Sequence, residues 1–292
     1  MLHQQDFDSL LGSSLFDEGN RRRTFIQTAI GAGFAAAALP ICAQTVVKTD
    51  TAGLTAGVIM LEVNGQQVPV YRAQPEGKTN LPIVLVVSEI FGVHEHIADV
   101  ARRFAKQGYL ALAPELFVRQ GDAGKYANMA ELMKEVISKV ADAQVMQDLD
   151  ATVAWAKAHG GNTDKLAITG FCWGGRITWL YAAHNPQVKT GAAWYGRLTG
   201  ATSPLAPQNP LDIAANIKAP ILGLYGAKDA GISLESVAQM KEALSKGKSA
   251  SELMIFANSG HAFHADYRPS YVEADAKDAW QRCLAWFKIH LA

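Results

Sequence analysis

Apolar and polar positions follow two different rhythms along this chain. "VIMLEV" (58–63) and "QQVPVYRA" (66–73) flank Asn64-Gly65, a dipeptide that tolerates the positive φ angles of a type I′ turn, so a β-hairpin is predicted. Beyond it the pattern changes to continuous apolar runs, as expected of strands buried on both faces. They stand at "PIVLVVSE" (82–89), "YLALAPE" (109–115), "KLAITG" (165–170), "TGAAWYG" (190–196), "APILGLYG" (219–226) and "SELMIFA" (251–257). Helical periodicity fills the gaps. Ile97, Val100, Ala101 and Phe104 share one face, polar helices are predicted between Lys125 and His159, and Gly160-Gly161 stops them. Leu234–Leu244 and Val272–His290 read as helices, the last with Trp280, Leu284 and Phe287 on one side. A hairpin leading into alternating β and α units predicts an α/β fold. Its sheet is mostly parallel and eight-stranded, with an N-terminal antiparallel hairpin and helices on both faces. The loop at 196–212 is long and Pro-rich, the kind that is usually functional or mobile. No internal repeat and no second domain boundary is visible, so residues 44–292 are read as a single domain.

Composition narrows the partners. With 27 basic and 27 acidic residues the formal charge is zero, and no Lys/Arg run suggests nucleic acid. A small-molecule ligand and a monomer are expected. Three cysteines, Cys42, Cys172 and Cys283, exclude a disulfide scaffold, and no C-x-x-C spacing for zinc or redox chemistry exists.

The first 43 residues read differently. "GNRRRTFIQTAIGAGFAAAALPICAQT" has a basic start, an Ala/Gly-rich apolar stretch and small residues at its end, which is the form of an export signal. Arg22 and Arg23 before Thr24, Phe25 and Ile26 resemble the twin-arginine pattern. The stretch from Phe25 to Leu39 is shorter than the ~20 apolar residues of a membrane span, so no stable membrane insertion is expected. A cut after Ala43 and a periplasmic location are expected; a disordered arm that merely contains arginines is the alternative.

"GFCWGG" (170–175) lies where an apolar run turns straight into a helical pattern. It has the form of the nucleophile elbow G-x-S-x-G, with Cys172 in place of serine. Gly170 and Gly174 are small enough for the crowded turn, and the helix dipole favours a thiolate at the start of the helix. A nucleophile needs a base and an orienting acid. Asp229 follows one later strand and His261 the next, in the nucleophile–acid–histidine order of α/β-hydrolases. Taken singly, Cys172 reads as a buried small hydrophobe, Asp229 as a cap or turn residue, and His261 as a loop histidine.

From about Leu54 to Ala292 the chain resembles the dienelactone hydrolase (carboxymethylenebutenolidase) family of the α/β-hydrolase fold. The likeness rests on "SEIFGVHEHIADVARRFAKQGY", "APELFVRQGD", "GFCWGG", "YGAKD" and "GHAFHADYRPSY". It implies a carboxylic ester hydrolase with catalytic Cys172, Asp229 and His261, acting on a dienelactone-like, carboxylate-bearing lactone or ester without cofactor or metal. It further implies that Glu89 sits beside the thiol, that the N–H groups of Ile90 and Trp173 form the oxyanion hole, and that Arg119 binds the substrate carboxylate. The family's arginine shortly after the histidine is absent, the next one being Arg268. Arg176, one helical turn beyond Cys172, is therefore the candidate partner of Glu89. The alternative is that Arg176 pairs with a carboxylate on a neighbouring helix, or that Arg268 folds back to meet Glu89. Rival readings are a zinc site from His94, His96, His261 and His264, a carboxylesterase or thioesterase of other range, and a non-catalytic binder.

Overall fold

The computed structural model describes residues 47–292. The expected export signal, its cut after Ala43 and Cys42 lie outside the described residues. One eight-stranded sheet runs through the molecule in the order β1-β2-β4-β3-β5-β6-β7-β8. Strands β1 (Leu54–Val63) and β2 (Gln66–Pro75) form the hairpin, turning at Asn64 and Gly65 with φ of 53° and 78°. β2 joins β4 (Leu110–Pro114) antiparallel. From there β4, β3 (Leu81–Val87), β5 (Gly161–Phe171), β6 (Val188–Trp194), β7 (Ile221–Gly226) and β8 (Glu252–Phe256) are all parallel. The two sequence rhythms match this split. Val58 and Met60 of the edge strand β1 are exposed, whereas β3, β4 and β7 are buried along almost their whole length.

Seven α-helices are present among the described residues: α1 (Glu95–Lys106), α2 (Met129–Glu135), α3 (Asp142–Ala158), α4 (Trp173–His184), α5 (Pro210–Ile213), α6 (Leu234–Ser245) and α7 (Glu273–His290). Helices α1 and α7 meet through Phe104, whose ring centroid lies 4.6 Å from Trp280 and 5.8 Å from Phe287. Burying an aromatic ring of this kind contributes about 1.5–3 kcal/mol. Helices α3 and α4 meet through the Tyr181 hydroxyl, which donates to Asp150 at 2.9 Å. Side-chain caps fix where two helices begin: Asn128 accepts from Glu131 N before α2, and Ser233 from Ser236 N before α6. No described helix is long and apolar enough to cross a membrane.

The carboxyl ends of the parallel strands share one edge of the sheet, where ligands bind in open α/β folds. The loop after β3 brings Glu89 and Ile90 there, β5 brings Cys172, β6 Tyr195, β7 Asp229 and β8 His261.

Candidate active site

Cys172 stands between β5 and α4 with φ 54° and ψ −114°, a conformation that non-glycine residues adopt rarely. Its neighbours show what makes the turn feasible. A Cβ on Gly170 would lie 2.2 Å from the Gly174 carbonyl oxygen, and one on Gly174 would lie 2.4 Å from that of Val87. The turn closes when Cys172 N donates to Trp194 O at 3.0 Å, tying the elbow to β6. The cysteine is buried and free, as is Cys283.

His261 and Asp229 meet directly, Nδ1 to Oδ2 at 2.7 Å. Asp229 is itself held by its loop: Oδ1 accepts from Gly231 N at 3.0 Å and Ile232 N at 3.2 Å. The other ring nitrogen, Nε2, is buried and has no hydrogen-bond partner, and His261 lines one cavity with Cys172. Burial disfavours charge on this imidazole, yet the Asp229 carboxylate and then the neighbouring Cys172 outweigh it and push its pKa up to about 10.

Glu89 is fully buried beside this centre. The Tyr267 hydroxyl donates to its Oε2, and Arg268 stands 3.7 Å from its Oε1. Burial raises the carboxyl, but the Arg268 charge and the Tyr267 hydrogen bond prevail, leaving it below the ordinary range. The loop carrying Glu89 and Ile90 is pinned by Glu115, whose Oε2 accepts from Val93 N at 2.7 Å. Gly92 permits this approach, since a Cβ there would lie 2.6 Å from that same oxygen.

Two sequence expectations are corrected. Arg176 does not reach Glu89; it forms a bidentate pair with Asp142 at 2.7 and 2.8 Å and donates to Gln208 O at 2.7 Å. The fork matches a carboxylate at the start of α3, so the cation facing Glu89 is Arg268. Arg119 is likewise closed, bidentate on Asp148 at 2.6 and 2.8 Å with Val63 O at 3.2 Å, and it does not line the cavity. Asp148 is buried, and a guanidinium is what keeps such a carboxylate from being a costly unpaired charge. The four histidines of the zinc reading are placed otherwise. His96 Nδ1 bonds Asp266 at 2.9 Å, His94 stacks on His96, His261 is taken by Asp229, and His264 stacks on Phe171 at 5.2 Å. Among the described residues no His, Cys, Asp and Glu side chains group as metal ligands.

The cavity measures about 560 Å³. Ile90, Trp173, Cys172 and His261 lie along it, with Met133, Ile137, Val140, Leu205 and Ile232 supplying apolar wall. Sequence reasoning missed Gly175, Tyr195 and Tyr267. Only Gly175 carried a readable signal, as the second glycine of "WGG": a Cβ there would lie 2.5 Å from Trp194 O.

The sheet, the elbow after β5, and Asp229 and His261 beyond the ends of β7 and β8 define a protein of the α/β-hydrolase fold. Within it, the chain belongs to the dienelactone hydrolase family, whose match spans residues 68–291. A Methylorubrum extorquens protein named "Putative carboxymethylenebutenolidase" is 53% identical over 283 residues, covering 97% of each chain. An Escherichia coli K12 protein of the same name is 52% identical, covering 88% of this chain and 94% of its own. The crystal structure of a "Putative Dienelactone Hydrolase" from Klebsiella pneumoniae has a TM-score of 0.79 at 54% identity, covering 80% of this chain and 98% of that one. Acylaminoacyl peptidase from Pyrococcus horikoshii shares the fold at 14% identity, with a TM-score of 0.63 over 82% of this chain and 42% of that one.

Proposed function

We propose that the protein hydrolyses a lactone or carboxylic ester through a thioester on Cys172. The observation that carries this reading is the His261–Asp229 pair, whose imidazole lines the same cavity as Cys172 with its Nε2 not engaged by Asp229. In the acylation step the thiol proton passes to His261 Nε2, and Asp229 fixes the tautomer that makes this nitrogen the base. The sulfur attacks the carbonyl carbon, and the N–H groups of Ile90 and Trp173 hold the oxyanion. As the tetrahedral intermediate collapses, the C–O bond breaks and its electron pair leaves on the ring or alcohol oxygen. An enolate leaves readily and takes the proton from His261 after it has departed, whereas a poorer leaving group takes that proton as the C–O bond breaks, so in either case the imidazole is neutral again. Water then gives a proton to His261, its oxygen attacks the thioester, and the thiolate is expelled with the acid as product. No cofactor enters the scheme.

The apolar wall suits the hydrocarbon part of an acyl or lactone substrate. With Arg119 closed by Asp148, no role in holding a substrate carboxylate is assigned to it. The twin-arginine pattern supports a periplasmic site of action. A panel of enol-lactones, aryl esters and thioesters tests the reading, assayed with the native protein and Cys172→Ala. Hydrolysis should fall at least ~10³-fold in the variant, with its circular dichroism unchanged. Near-native turnover in Cys172→Ala would remove the nucleophile, and binding without turnover by the native protein would make this a binder.

A further inference from the structure

Tyr195 follows β6 with φ 38°, left-handed backbone that a bulky aromatic residue seldom adopts. Such outliers persist where the surroundings hold them and gather at functional sites. Its ring lies edge-on to His261 at 5.2 Å between centroids and packs against Phe263 at 5.5 Å. The residue is fully buried, and its phenol oxygen makes no hydrogen bond. Other buried tyrosines differ: Tyr181 donates to Asp150, and Tyr225 accepts from Trp179 at 3.1 Å. Among the described residues no group accepts from this hydroxyl, so its proton is available to a group presented within the cavity that Tyr195 lines.

The neighbourhood indicates which acceptor. Tyr195, Cys172 and His261 line the same cavity. The charged and titratable groups around the thiol and its cavity are Glu89 after β3, Lys134 on α2, Arg176 on α4 closed by Asp142 on α3, Tyr195 and Arg197 after β6, Asp229 after β7, and His261, Tyr267 and Arg268 after β8. Burial, followed by the charges of Glu89, Tyr267 and Cys172, pushes the Tyr195 phenol well above its ordinary range, so it stays a donor. Glu89 has its Oε2 taken by Tyr267 and its Oε1 facing Arg268 at 3.7 Å, and a forming thiolate is the new anion within the site.

We propose that Tyr195 is a positioning residue whose phenol donates a hydrogen bond to the Cys172 thiolate as the thiol proton passes to His261, setting how much reactive thiolate the protein holds. This deepens the reading of Cys172 as nucleophile and rests on it for its effect on turnover, but its test needs no turnover. Iodoacetamide alkylation of the full chain is followed against pH, with peptide mass spectrometry resolving Cys172 from Cys42 and Cys283. Tyr195→Phe removes only the hydroxyl. At neutral pH it should slow alkylation of Cys172 about three- to tenfold, the size of one lost hydrogen bond. The midpoint of the pH profile should move up, while the thermal midpoint stays or rises. An unchanged pH midpoint overturns the proposal, and so does slower alkylation accompanied by a thermal midpoint several degrees lower, which marks a packing role. If the pH midpoint shifts in Tyr195→Phe but Cys172→Ala still hydrolyses esters, this inference stands and the nucleophile reading falls. A Cys172 that resists alkylation at every pH overturns both.

Discussion

Arg176 and Asp142 close on each other in a two-pronged pair, at 2.7 and 2.8 Å, that ties α4 to the start of α3 along the cavity wall. Both side chains are largely buried, and Gln208 O takes a further guanidinium N–H. The pair is structural, so its loss should register in stability and not in the acid–base behaviour of the thiol. Asp142→Ala leaves a buried guanidinium without its carboxylate and should cost about 3–5 kcal/mol. The double variant Asp142→Leu with Arg176→Met removes both charges and should recover much of that loss. Urea unfolding of the three proteins decides, and a single-variant cost under about 0.5 kcal/mol would show that the pair is solvated well enough to be dispensable.

Asp229→Asn tests the orienting role proposed for Asp229 more sharply than alanine does. Oδ1 accepts two backbone N–H groups, from Gly231 and Ile232, while Oδ2 faces His261 Nδ1. An asparagine can keep the first two bonds, but it then presents its NH2 to the imidazole and reverses the tautomer. Fold and substrate affinity should survive while kcat falls by at least ~10³-fold. A loss below about tenfold would mean that His261 holds its working tautomer without Asp229.

The sheet and the elbow were legible because local physics dictates them. Asn64-Gly65 permits one kind of turn, doubly buried strands must be apolar throughout, and glycine at 170 and 174 is demanded by backbone atoms within 2.2–2.4 Å. The chain order of Cys172, Asp229 and His261 was readable for the same reason, since each follows a recognisable strand. The arginines were not. Whether a guanidinium meets Asp142, Asp148 or Glu89 depends on how α3, α4 and the loop after β8 pack, which spacing along one helix does not encode. Helical spacing puts Arg176 one turn from Cys172 and so points it at Glu89, yet its side chain leads toward α3. Tyr195 was invisible because its signature is a backbone angle and a missing hydrogen bond, neither of which is a property of sequence.

Replacing Arg22 and Arg23 together by lysine tests the expected export route. Lysine keeps the positive charge but not the guanidinium, so a purely electrostatic requirement would tolerate the change. The double variant should accumulate inside the cell with its leader uncut. Normal recovery of cleaved protein from the periplasm would show that the arginines do not direct export.

Acid should destabilise the protein in a window set by histidines behind the site. Burial, then the neighbouring charge of His96, lowers His94 to about 4, with Arg268 also opposing its protonation and Glu89 and Asp266 favouring it. His264 is lowered too, by burial and then by His96 and Arg103, against Asp266. The unfolded chain binds these protons near pH 6.5, well before the folded one does. Stability is therefore full above about 6.5 and is lost as pH falls toward about 4. His94→Phe removes a titrating group whose Nε2 has no partner and keeps a ring against Tyr267, 4.8 Å away. Urea unfolding of this variant should show a shallower loss between pH 6.5 and 5, by about 1–2 kcal/mol. A native protein equally stable across that interval, or a variant with the native slope, would show that His94 takes up its proton in the folded state without cost.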